Sequence, residues 1–95
     1  MNIKLKDWQK KFLQFASNNK NKIINLYGYP SGKSFIAFYD KNSKDRVYYH
    51  YESLYNLVPI YNDINNGKTV IIITIDKLHA DLQDLIYFEV MEDDT

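Results

Sequence analysis

The stretch Leu26-Tyr27-Gly28-Tyr29-Pro30-Ser31-Gly32-Lys33-Ser34 holds the residue types that bind phosphate. Glycines let backbone N–H groups converge on an anion, and the start of a following helix adds partial positive charge. Lys33 would reach the outer phosphates, and Ser34 stands where a hydroxyl could ligate magnesium. A second stretch, Val70-Ile71-Ile72-Ile73-Thr74-Ile75-Asp76, is an apolar strand ending in a carboxylate that could hold a magnesium shell. Many buried strands also end in an Asp that merely caps a helix. The candidate nucleotide-binding residues are therefore Gly28, Gly32, Lys33, Ser34 and Asp76. A competent site would take ATP with magnesium; otherwise no cofactor is expected.

The elements that must position these residues follow from periodicity. Leu5, Trp8, Phe12, Phe15 and Ala16 form one apolar helical stripe, which Asp7 could cap. Lys22 to Tyr27 reads as a buried strand, Gly28 to Gly32 as a loop, and Lys33 to Asp40 as a short helix. Arg46 to Tyr51 has the β-branched and aromatic character of a strand. Glu52 to Ile64 reads as a helix that Pro59 must kink. Thr69 to Ile75 is nearly continuous Val and Ile, as in a central parallel strand. Asp76 to Ile86 reads as a helix with Leu78, Leu82, Leu85 and Ile86 on one face, and Tyr87 to Met91 as a last strand. Alternating strands and helices predict an α/β fold, a small mainly parallel sheet with flanking helices, in one domain over residues 1–95.

Placed on these elements, the chain resembles the AAA+ domains of bacterial replication initiators and helicase loaders, a branch of the P-loop NTPases. The likeness rests on Trp8-Gln9, the loop Gly28–Ser34, the strand Val47–Tyr51 with the helix after it, and Ile75-Asp76-Lys77-Leu78-His79. It covers roughly residues 5–86, and it implies a shortened, truncated AAA+-like domain. The departures are specific. A Walker A loop has four residues between its first glycine and Gly-Lys-Ser, whereas Gly28 and Gly32 are separated by three. Lys77 stands where the second Walker B acid would position water. No sensor strand, arginine finger or lid follows, and Arg46 is the only arginine. A lysine does not activate water at neutral pH, so ATP hydrolysis is expected to be absent.

Composition bounds the rest. The 95 residues contain no cysteine, which excludes disulfides and thiolate chemistry. Met1 to Lys11 has no apolar h-region, so a signal peptide is not expected, and no apolar run approaches a membrane span. A cytoplasmic location is the expectation. The acidic end, Glu92-Asp93-Asp94-Thr95, is the one stretch where disorder is expected. Residues 1–50 carry ten Lys/Arg against three Asp, and residues 51–95 two Lys against nine Asp/Glu. The two halves are expected to interleave in one sheet and largely cancel. Lys4, Lys6, Lys10, Lys11, Lys20 and Lys22 form a basic zone, but no nucleic-acid motif accompanies it and direct nucleic-acid binding is not expected. His50 and His79 lack paired ligand spacing, and Asp76, Asp81 and Asp84 read as a solvated face.

Lysine, isoleucine, asparagine and tyrosine abound while alanine is scarce, a mixture typical of low-GC bacteria, their phages and mobile elements. A short domain cannot cover both sheet faces well, so some of Tyr48, Tyr49, Tyr51 and Tyr55 should be exposed as partner-binding anchors. Two functions of different class remain. One is a non-catalytic interaction protein that inhibits or modulates a larger partner, such as an AAA+ protein. The other is a small ATP-binding P-loop protein or NTPase fragment.

Overall fold

Thr69–Thr74, the run richest in Val and Ile, is buried along its whole length and holds the sheet together. It is strand β3 of a four-stranded, all-parallel sheet with the order β2-β3-β1-β4, in which β1 is Ile23–Tyr27, β2 Arg46–His50 and β4 Leu85–Glu89. Three α-helices accompany the sheet: α1 (Asp7–Ser17), α2 (Lys33–Tyr39) and α3 (Val58–Asn65). This computed structural model describes residues 4–91, so the expectation for Glu92–Thr95 lies outside the described residues. Among the described residues no helix is long and apolar enough to cross a membrane.

Alternation along the strands sorts the core into two faces. Ile24, Leu26, Ile71 and Ile73 pack under Trp8, Phe12 and Ala16 of α1 and Ile36 of α2. Phe12 also meets Phe88 of β4 edge to face, with ring centroids 5.2 Å apart. Ile23, Val70 and Ile72 point the other way, under Ile60 of α3 and under Leu78 and Leu82. The two layers follow from topology. The connection from β1 to β2 and that from β3 to β4 run in opposite directions across the sheet, and crossovers of one hand then lie on opposite faces.

Three expectations need correction. The helix read over Glu52–Ile64 is a 3-10 turn, Tyr51–Ser53, an irregular link, and then α3. Pro59 lies in the first turn of α3, where its missing N–H costs nothing, so it starts the helix rather than kinking it. The helix read over Asp76–Ile86 is absent. Side chains hold the segment in another path: Asn25 Oδ1 accepts the Leu78 N–H at 2.7 Å, while the carbonyls of Asp76 and Leu78, which a helix would bond internally, accept from Thr74 Oγ1 at 2.6 Å and Tyr87 Oη at 3.0 Å. Leu78 and Leu82 are still buried, but in an extended connection. The last strand consequently starts at Leu85. Finally, α1 is capped by Lys6, whose N–H is bonded by Gln9 Oε1 at 2.7 Å, with Asp7 already inside the first turn.

The charged halves do interleave in the sheet, but the layers covering it separate them. Lys10 and Lys11 are exposed on α1, whereas Asp81 and Asp84 are exposed on the connection across the opposite face.

Candidate functional site at the carboxyl edge of the sheet

In a parallel sheet every strand ends at the same edge, and ligands of open α/β folds bind where neighbouring connections diverge. Here that point lies between β1 and β3, whose ends Tyr27 and Thr74 are in register. The Gly28–Ser34 segment follows β1 and Asp76 follows β3, so all five candidate nucleotide-binding residues lie at one edge. They line adjoining clefts, the larger about 400 Å³.

The loop is fixed from below and behind. Gly28 donates its N–H to the Ile75 carbonyl at 2.9 Å. Its φ is +136°, and a Cβ there would sit 2.5 Å from the Val90 carbonyl oxygen, so only glycine fits. Gly32, at φ +110°, begins α2 and packs on α1: a Cβ would come within 3.0 Å of Gln9 Nε2 and 3.2 Å of Trp8 Cζ2. Gln9 Nε2 donates to the Gly32 carbonyl at 3.1 Å, which ties α1 to the loop.

Lys33 does not reach outward. Its side chain is buried, and its ammonium donates to the carbonyls of Gly28 and, at 2.9 Å, Pro30. Burial pushes its pKa down. The interior of the loop therefore presents carbonyl oxygens to a cation of its own chain. Ser34 is exposed. Asp76 accepts a hydrogen bond from the Tyr29 hydroxyl at 2.9 Å, which clasps the loop to the end of β3. That bond, then the charge of the carboxylate, pushes the Tyr29 phenol above its ordinary pKa. Lys77 lines the same cleft as Gly28 and Asp76, with its ammonium 4.3 Å from the centre of the Tyr87 ring.

Two cleft residues were not assigned to the edge by sequence reasoning: His50, which ends β2, and Glu52 just beyond it. The available signal was parallelism itself, since the residue ending β2 must share the edge with those ending β1 and β3. Among the described residues no group of three His, Asp or Glu is placed to hold a metal ion.

The four candidate partner-binding tyrosines are not brought together. Tyr48 and Tyr49 are half-buried on opposite faces, and their hydroxyls donate to Asp40 (2.6 Å) and Asp63 respectively. Asp40 also receives a bidentate pair from Arg46, at 2.6 and 3.0 Å. Burial and then the bond to Asp40 raise the Tyr48 pKa strongly; burial and then Asp63 push Tyr49 up to about 12. Tyr51 and Tyr55 are the two that face solvent, Tyr55 at 96% exposure.

Comparison of the chain with protein-family models, with curated proteins and with solved structures finds no match.

Proposed function

We propose that this chain is a non-catalytic binding protein whose phosphate-type loop serves as a structural clip. One observation carries the reading. Lys33, the residue a nucleotide would need, is buried and bonded to the carbonyls of its own loop. The position and partners of Lys77 add to it, since no acid stands there to activate water. The finer fold reading, a shortened AAA+-like P-loop domain, rests on the strand–loop–helix setting of Gly28–Ser34 and on Asp76 ending the neighbouring strand. On that reading the chain docks on a larger protein, an AAA+ protein being the candidate by likeness, and modulates or inhibits it.

The second reading, a small ATP-binding protein, has its own support. The loop, the exposed Ser34 and Asp76 lie at one edge of the sheet, in adjoining clefts. Thermal melting with millimolar magnesium–ATP separates the two. A ligand at a hundredfold excess over its dissociation constant adds about 2.7 kcal/mol, a melting rise of roughly 10 °C for a chain of this size. The expected result is no rise. A rise of that order, abolished by Lys33→Ala in a variant that still folds, would overturn the proposal in favour of the nucleotide reading.

A further inference from the structure

The sheet face opposite α1 is thinly covered. Among the described residues its only α-helix is the eight-residue α3, and the connection from β3 to β4 crosses it without forming a helix. Between them a groove of about 250 Å³ opens, with Ile72 and Leu78 at its base and Tyr51, Leu54, Leu57 and Leu82 around it. Tyr55 projects from the same wall almost wholly into solvent, and Val58 beside it is also exposed. Large apolar side chains left open around a concave apolar floor mark a docking surface.

Charge identifies the occupant. From Val47 through Gly67 the chain contains no lysine or arginine. Glu52, next to Tyr51, and Asp81, between Ala80 and Leu82, are exposed beside lining residues of the groove, as is His79 next to Leu78. Asp63 of α3 receives the Tyr49 hydroxyl, Lys68 donates to the Lys44 carbonyl at the far end of the sheet, and Lys77 lies over Tyr87. Around the groove the acids Glu52, Asp76 and Asp81 thus outnumber the one nearby cation, Lys77. A second copy fits poorly in either orientation. Groove against groove opposes like charges, and the basic layer keeps Trp8 and Phe12 buried while its exposed Phe38 is covered by its own Lys41 at 4.4 Å.

We propose that this groove docks a segment of a partner protein with an aliphatic or aromatic anchor flanked by lysine or arginine. The inference rests on the reading of the chain as a binding protein and narrows it to one surface. Tyr55, with the groove beneath it, supplies the anchor contact, and Glu52 and Asp81 select the flanking charges.

The test is selection of a randomised displayed peptide library on the immobilised full chain. Enriched peptides are expected to combine a large apolar residue with an excess of Lys and Arg. Their affinity should fall about tenfold or more in Tyr55→Ala, and the double variant Glu52→Gln, Asp81→Asn should weaken both affinity and its salt dependence. Tyr55 is too exposed for its truncation to threaten folding. Failure to enrich, enrichment of acidic peptides, or binding indifferent to Tyr55→Ala would each overturn the groove. So would sedimentation showing a dimer that Tyr55→Ala disperses, because the occupant would then be a second copy. Peptides that bind elsewhere on the chain would sink this inference while leaving the binding-protein reading intact; a magnesium–ATP melting rise would sink that reading separately.

Discussion

Asn25 Oδ1 accepts the backbone N–H of Leu78 at 2.7 Å, across the face of the sheet from β1 to the connection after β3. The same amide donates to the Ile72 carbonyl at 3.1 Å and to Thr74 Oγ1 at 2.9 Å, so a wholly buried polar side chain is fully partnered. It anchors the connection after β3 to β1 at Leu78. The expected cost of Asn25→Ala is about 3 kcal/mol, from unsatisfied buried groups plus a small cavity. Urea denaturation measures it, and a loss below about 1 kcal/mol would show that the connection holds without Asn25.

Gly28 and Gly67 both have positive φ, but only Gly28 is crowded, with the Val90 carbonyl 2.5 Å from a Cβ; nothing lies within 4 Å at Gly67. Gly67→Ala should therefore cost only the left-handed backbone penalty, about 1–2 kcal/mol. Gly28→Ala should cost several times as much or prevent folding. Circular dichroism melts of both variants check the contrast, and equal losses would mean the loop can move off Val90.

Lys33→Met removes the donor to two carbonyls but also the desolvation that burial imposes on the ammonium. These oppose, so a net loss of about 1–2 kcal/mol is expected, with the fold kept. The variant should bind groove-selected peptides like the wild type. Loss of peptide binding in a folded Lys33→Met protein would place the loop in the interface.

Alkaline stability follows from the phenols. Tyr49 titrates at about 12 in the folded chain and Tyr48 higher still, whereas an unfolded tyrosine titrates near 10. Each contributes stability that is complete below about pH 10 and lost as pH rises through the folded value. Lys33 acts the other way: its pKa is lowered on folding, so the penalty it imposes is relieved as pH climbs toward the unfolded value of about 10.5. Stability should hold to about pH 10 and then decline, less steeply in Tyr49→Phe. Urea midpoints across that range test this; an identical decline in wild type and Tyr49→Phe would remove Tyr49 from the account.

No magnesium–ATP turnover is expected from the wild type, nor from Lys77→Glu, since the change supplies an acid without freeing Lys33 from its loop. A phosphate-release assay on both proteins checks it. Sustained turnover by either would contradict the assignment of the loop as a clip.

The sequence carried the strands because their signal is local. Ile71, Ile72 and Ile73 read as a two-sided buried run, and the alternation of Tyr48 and Tyr49 between faces is inherent in any strand. The placing of Gly28–Ser34 and Asp76 at one edge was legible from the pairing of two motifs, each of which follows a strand. The segments from Tyr51 to Val58 and from Ile75 to Asp84 were not. Leu78 and Leu82 have helical spacing, but partners distant in sequence, Asn25 and Tyr87, override it. The direction of Lys33 was equally hidden, because it depends on which way two carbonyls point. Tyr48 and Tyr49 looked like free anchors only because Asp40 and Asp63 could not be paired with them in advance.

The strand order has a consequence for how the chain is made. β1 and β2 are not neighbours; both pair with β3, and β1 also with β4. During synthesis, no strand has a hydrogen-bonding partner until Thr69–Thr74 has left the ribosome. Everything before it can form only helix and collapsed coil, with Ile23–Tyr27 and Arg46–His50 waiting unpaired. Assembly of the sheet is therefore a late event that hinges on one six-residue segment, and long-range parallel pairing of this kind is slow. A nascent chain whose emerged part ends before Thr69 would expose two unpaired strands, and one whose emerged part reaches just past Thr74 would already hold three of the four.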